Sequence, residues 1–214
     1  QIDSLLLRFN GVVVARQNKV KANQHLSIDI SESSIWKAKT IKKSSQILSL
    51  TEQPDLKLKH TELKYDDFDK EILLPHKMSE LGPFITVGDI NQDGLDDFYY
   101  GAARGSKGAL MIQTENGGFI EKPLELFKTN YLSEEMQSLF FDADQDGDLD
   151  LYVGSGGKDY PPYSINLEDR IYINNEGVFE LSSNLNSRKR FSTSVAKTLD
   201  FDRDGDLDLI IGER

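Results

Sequence analysis

Three nonapeptides of one pattern, D-x-[DN]-x-D-G-x-x-D, occupy residues 89–97, 142–150 and 200–208. Oxygen donors at positions 1, 3, 5 and 9, a backbone carbonyl at position 7 and a glycine at position 6 for the sharp turn are what a hard cation of calcium's size requires of a short loop. The candidate ligands are Asp89, Asn91, Asp93, Leu95 and Asp97 in the first loop, Asp142, Asp144, Asp146, Asp148 and Asp150 in the second, and Asp200, Asp202, Asp204, Asp206 and Asp208 in the third. Leu95, Asp148 and Asp206 enter as carbonyl donors. The expected cofactor is calcium, about three ions.

An EF-hand loop begins in the same way but places a bidentate Glu at position 12 between two helices. Position 12 here is Tyr100, Val153 and Ile211. Each loop runs instead into a short apolar stretch closed by glycine, Phe98–Gly101, Leu151–Gly154 and Leu209–Gly212, the pattern of a strand. Asp/Gly turns with solvated carboxylates are the plain alternative, since these residues favour turns for local backbone reasons. A turn needs one or two such residues, however, and these loops repeat four ligand positions at one spacing. Asp carboxylates packed this closely repel one another and strain the loop unless a cation lies between them. Three bound Ca²⁺ would bring the formal charge of −11 to −5, so much of the acidity belongs to the loops, and it argues against nucleic acid as a partner.

The loops start 53 and 58 residues apart, a period expected of propellers, solenoids or arrays. In the second period, strands are predicted at 138–141, 151–153, 170–174 and 178–181, the last two joined by a turn at 175–177. The first period repeats this with 109–113, a turn at 115–118 and a strand from Phe119. Four antiparallel strands per unit is the anatomy of a propeller blade, with the acidic loop joining the first strand to the second. Residues 124–137 suit a short helix or an inter-blade connection equally.

These residues resemble a known family. The loops and their flanking strands are similar to FG-GAP or VCBS repeats, the calcium-bearing blades of the integrin α-subunit propeller and of many bacterial secreted and surface proteins. Leu73–Ser79, Gly82-Pro83, Val87–Asp89, Gly101–Gly105 and Asp169–Asn174 extend the likeness over roughly residues 58–214. The N-terminal piece alternates in strand fashion about an Asn10-Gly11 hairpin signal. It resembles the last third of an ASPIC/UnbV domain, chiefly over Val20–Ile28, and departs at Phe9-Asn10, where that family has Trp-Pro before the turn glycine. The expected organisation is therefore 1–31, ASPIC/UnbV-like; 32–58, a Ser/Lys/Thr/Gln-rich linker; and 59–214, propeller blades. The fold class is all-β: a partial β-propeller of four-stranded blades with calcium loops, plus a small N-terminal β segment.

No apolar run approaches the ~18 residues of a membrane span, and there is no cysteine for disulfides, thiolate metal sites or a thiol nucleophile. Gln1 is not an initiator methionine, and the chain stops after the second strand of a third blade; both ends are expected to continue in a longer protein, and the blades to form an open arc with an exposed edge prone to self-association. Loops of this kind fill at extracellular calcium, roughly 10⁻⁴ to 10⁻³ M, which with the resemblance points to a secreted or surface protein, the bacterial outer membrane included.

Catalysis has little to stand on. His25, His60 and His76 are the three histidines, none with an acid or base at a defined spacing, and no nucleophile elbow, phosphate loop or zinc-protease motif occurs. The loop 154–163, glycine-rich at one end and aromatic at the other, is the best candidate for a recognition surface; packing of its tyrosines on a neighbouring blade is the alternative. Two functions follow: a non-catalytic, calcium-stabilised module that binds a protein or glycan at the cell surface, or a carbohydrate-active lyase- or dehydratase-type enzyme with its site on the propeller face and partly outside this chain. A cluster of His, Tyr, Arg and acid side chains on the central channel would favour the second.

Overall fold

Phe98-Tyr-Tyr, Leu151-Tyr-Val and Leu209-Ile-Ile are rich in side chains that crowd a helix and suit a pleated surface, and each forms the second strand of a sheet. The computed structural model describes residues 2–9, 12–28, 56–182 and 190–213. The chain divides into two units, Gln1–Glu52 and Gln53–Arg214. In the first, β1 (Ile2–Phe9) pairs antiparallel with β2 (Val12–Val20), as the hairpin signal predicts. The turn residues Asn10 and Gly11 and most of the expected 32–58 linker lie outside the described residues.

Among the described residues the second unit holds two four-stranded antiparallel sheets and one two-stranded sheet. The first sheet runs in order through β3 (Ile85–Gly88), β4 (Asp97–Tyr100), β5 (Ala109–Gln113) and β6 (Phe119–Lys122). The second runs through β7 (Glu134–Phe141), β8 (Asp150–Gly156), β9 (Arg170–Asn175) and β10 (Val178–Leu181), and the third is β11 (Thr193–Leu199) with β12 (Asp208–Glu213). The leading strands β3, β7 and β11 lie next to one another, the arrangement of a partial propeller. Residues 125–130 are 3₁₀-helical and lead into β7, so the ambiguous 124–137 segment is part helix and part strand.

Every acidic loop is closed by the same register. The residue before the loop pairs with its ninth residue: Gly88 with Asp97, Phe141 with Asp150, Leu199 with Asp208. The loops are thus superposable hairpin connections at one end of their blades. Between the first two blades Ile90, Tyr99, Leu110, Phe127, Leu151, Val153, Tyr172 and Phe179 form one core. Phe141, Tyr152 and Ala196, with Leu209 and Ile211 against them, form a second between blades two and three. Sandwiched by both, β8 is buried along its whole length.

Two strands differ from expectation. β7 begins at Glu134, four residues before the predicted Ser138, because Glu134 and Glu135 are buried there in polar pairs with the first blade. β8 runs through Gly154 to Gly156. Gly154 is a point of close approach between blades: a Cβ there would stand 2.7 Å from Thr193 Cγ2 and 3.1 Å from the Tyr152 hydroxyl. Gly154→Ala is therefore expected to destabilise the protein by about 1–3 kcal/mol in urea denaturation, since overpacking forces the sheets apart. Unchanged stability would show that blades two and three can separate freely.

Candidate metal centre in the repeat loops

Inside each loop the acids first serve the backbone. In the first, Asp93 N–H donates to Asp89 Oδ1 (3.1 Å), Gly94 N–H to Asp89 Oδ2 (2.8 Å) and Leu95 N–H to Asp93 Oδ1 (2.8 Å). The second repeats this with Gly147 N–H to Asp142 Oδ2 (3.1 Å) and Asp148 N–H to Asp146 Oδ1 (3.0 Å), and the third with Asp206 N–H to Asp204 Oδ1 (3.2 Å). Glycine at position 6 permits the curl, with φ of 86°, 98° and 99° at Gly94, Gly147 and Gly205, and Gln92, Gln145 and Arg203 at position 4 also take positive φ.

The curl brings like charges together. Carboxylate oxygens of Asp142, Asp144 and Asp146 lie within 4.8 Å of one another, as do those of Asp200, Asp202 and Asp208. Asp142 Oδ1 and Asp148 Oδ1 are buried and have no hydrogen-bond partner, so the second loop holds acceptor capacity that protein donors leave unmet. Both observations fit a metal ion. The first loop differs in substance: Asn91 replaces an acid, and its Nδ2 donates to Asp93 Oδ2 (3.0 Å). In the third loop Asp204 is not one of the three converging acids. The Asp206 N–H and side chain lower its pKa, while Asp204 raises that of Asp206.

Position 9 has a second role that sequence reasoning missed. Asp97 Oδ2 accepts from Ile90 N–H (3.2 Å) and Oδ1 from Gln113 N–H (2.8 Å). Asp150 Oδ2 accepts from Ala143 N–H (2.7 Å) and Oδ1 from Asn174 N–H (2.8 Å). Each carboxylate ties its own loop to the third strand of its blade. Burial pushes both above the usual Asp range, and the backbone N–H bonds oppose the shift. The third loop keeps half of the brace, Phe201 N–H to Asp208 Oδ2 at 2.8 Å. Asp148, expected only as a carbonyl donor, also accepts Glu176 N–H from the β9–β10 turn (3.0 Å).

Loops one and two are joined. Gln92 Nε2 donates to the Gly147 carbonyl (3.0 Å), and the buried Asn174 amide bridges Ile90 O (3.0 Å) and Leu149 O (3.2 Å). A cleft of about 410 Å³ between the two loops is lined by Asn91, Gln92, Asp146, Asp148 and Glu176.

A polar network at the opposite ends of the strands was not foreseen. Glu135 on β7 accepts from the Tyr99 hydroxyl (2.8 Å) and Ala102 N–H (2.8 Å) of the first blade and from Arg170 Nη2 (3.2 Å), which also donates to Ser155 Oγ (3.1 Å). Asp169 accepts from the Tyr152 hydroxyl (2.7 Å), Ser155 N–H (2.7 Å) and Thr193 Oγ1 of the third blade. The available signal was a tyrosine two residues after position 9 in two of the three repeats, Tyr99 and Tyr152. His60, read as lacking an acid, has one: its Nε2 lies 2.5 Å from Glu62 Oε1, and its ring sits against Gly82. His25 and His76 are exposed.

The loop 154–163 is fastened rather than free. Arg104 Nε pairs with Asp159 Oδ2 (2.9 Å) and its guanidinium lies over the Tyr160 ring, whose hydroxyl donates to Leu132 O (2.6 Å). Lys158 Nζ meets Glu71 Oε1 (3.2 Å), and the loop walls a groove of about 550 Å³ with Lys70, Glu71, Leu167 and Phe191.

Compared with known families, the chain matches the model of the FG-GAP-like repeat twice, over residues 89–153 and 142–211, the two matches sharing the second acidic loop. They cover more than half of the chain. It belongs to the FG-GAP-like repeat family. Comparison with curated proteins and with solved structures gave no match. Both FG-GAP matches begin at position 1 of an acidic loop and end in the second strand of the next blade, so each takes in two acidic loops and the strands between them. Among the described residues no helix is long and apolar enough to cross a membrane.

Proposed function

We propose that this chain is a calcium-binding, non-catalytic propeller module of a secreted or cell-surface protein, which holds a protein or glycan ligand on the face away from its acidic loops. The carrying observation is the acidic loop repeated in one register, with carboxylates of the second and third loops grouped within 4.8 Å and buried oxygens of the second unmet. Calcium supplies the charge and the six to eight oxygen contacts that such loops call for. The groove walled by residues of the 157–162 loop supports this choice of face, since β8 runs from the loop at Asp150 to Gly156 and sets the groove a strand's length away. In this polar network Glu135, Arg170 and Tyr99 are buried and Asp169 is half-buried, which supports a bracing role over the carbohydrate-active alternative. We further assign the N-terminal hairpin to the end of an ASPIC/UnbV-like domain, on the resemblance of Val20–Ile28.

Calorimetry on chelator-stripped protein is expected to show about three calcium sites and a rise in melting temperature in millimolar calcium. Absence of both would overturn the reading. Ligand charge ranks the sites: the first loop has Asn91 where the others have Asp144 and Asp202, and Arg203 offsets the third, so the middle loop binds tightest. Replacing Asp93, Asp146 and Asp204 by Ala in turn tests this, since Asp146→Ala should remove the tightest phase. Loss of the weakest phase instead would show that loop rigidity sets the order.

A further inference from the structure

The connection after β8 holds a tyrosine in a conformation that tyrosine seldom takes. Tyr163 has φ of 67°, in the left-handed region, where a Cβ crowds the following carbonyl. The other six described non-glycine residues at positive φ are all polar or charged. Hydrogen bonds pin the backbone on both sides: Tyr163 N–H donates to Arg190 O (3.0 Å) and Ser164 N–H to Pro161 O (3.2 Å). Burial does not account for the twist, because Tyr163 is 64% exposed. Its result is to set the tyrosine ring 5.4 Å from that of Phe191, tilted by 55°. An aromatic side chain kept in a strained conformation and turned to solvent is a mark of a ligand site.

Phe191 is a wall of the groove of about 550 Å³, together with Tyr160, Pro161, Pro162 and Leu167, and Tyr163 follows directly on Pro162. The volume is that of a small-ligand site, whereas a stable protein interface covers about 800 Å² on each partner. Flat apolar walls with a few polar groups suit a sugar ring, whose C–H face packs on an aromatic ring while its hydroxyls hydrogen-bond. The charges of the lining are Lys70, Lys158 and Glu71, two ammonium groups against one carboxylate in a chain of net charge −11. Glu71 Oε1 takes Lys158 Nζ at 3.2 Å. Lys70 forms no ion pair among the described residues, and its Nζ stands 5.4 Å from the centre of the Tyr65 ring. A carboxylate on the ligand supplies the missing partner.

We propose that this groove binds a uronate oligosaccharide, with Tyr163 and Phe191 as the stacking platform and Lys70 as the partner of a sugar carboxylate. The proposal rests on the reading of this face as the ligand face, and narrows the ligand there to one class.

The test is calorimetric titration of the whole chain, in millimolar calcium, with tetrasaccharides of galacturonate, glucuronate and mannuronate, each beside its methyl ester, which keeps the shape and removes the charge. At least one acid is expected to bind, with its ester about tenfold weaker. Tyr163→Gly should weaken the acid about tenfold while the melting temperature stays level or rises, since glycine takes this conformation freely. Lys70→Ala, at an exposed side chain, should weaken the acid and leave the ester unchanged, and decides the matter if Tyr163→Gly does not fold. The proposal is overturned if no uronate binds, if acid and ester bind equally, or if both variants bind as the wild type does. Where no uronate binds, the melting temperature of Tyr163→Gly separates two failures. A level or raised value overturns the saccharide and leaves the face to a protein ligand, whereas a marked fall shows that Tyr163 serves the fold and removes support from the ligand face itself.

Discussion

Asp150→Ala is expected to destabilise the protein by about 3–5 kcal/mol even in chelator, because it removes a fully buried carboxylate that accepts both Ala143 N–H and Asn174 N–H. Each orphaned buried donor costs about 1–3 kcal/mol. Asp146→Ala should behave oppositely. Its side chain is exposed and serves one amide of its own loop, so the apo-protein should lose little and the calcium-dependent gain should vanish. Urea denaturation with and without calcium separates the two. Equal effects of the two substitutions in chelator would refute the bracing role of position 9.

Glu135→Ala should cost a similar amount, about 3–5 kcal/mol, and for a different reason. It strands the buried Arg170 guanidinium without its countercharge and leaves the Tyr99 hydroxyl and Ala102 N–H unpaired across the blade interface. The double variant Glu135→Leu with Arg170→Met should recover the share of the loss that comes from the stranded guanidinium, and not the share from the unpaired Tyr99 hydroxyl and Ala102 N–H. A double variant as unstable as Glu135→Ala alone would mean that packing volume at the interface, and not charge, sets the cost.

The loops, β5 and the 175–177 turn were legible because their determinants are local: ligand spacing, a bounded β-branched or aromatic run, and a glycine at positive φ. The start of β7 was not. Glu134 and Glu135 read as polar and exposed, yet their partners Arg104 and Ala102 lie some thirty residues upstream in another blade. Gly154 read as the end of a strand, and its reason is a neighbour, Thr193, that only the packed blades reveal. The double duty of Asp97 and Asp150 was hidden likewise, since their partners Gln113 and Asn174 contribute backbone amides, and a backbone amide leaves no trace in residue type. The acids that converge in the second and third loops could be named from sequence, whereas those that hold the loops in place required the fold.

Asn174 has a wider consequence. Its amide group donates to Ile90 O in one repeat and to Leu149 O in the next, and its own carbonyl accepts Gly177 N–H (2.8 Å) within its hairpin. A repeat array behaves as a chain of units whose melting is independent or concerted according to the free energy at each junction. Here the first junction joins a fully bonded side chain to an aromatic core, while the second rests on a smaller apolar set and the Thr193–Asp169 bonds. Blades one and two therefore form a single cooperative block. The second junction, with its smaller apolar set, is the one expected to yield first when the protein is heated or pulled.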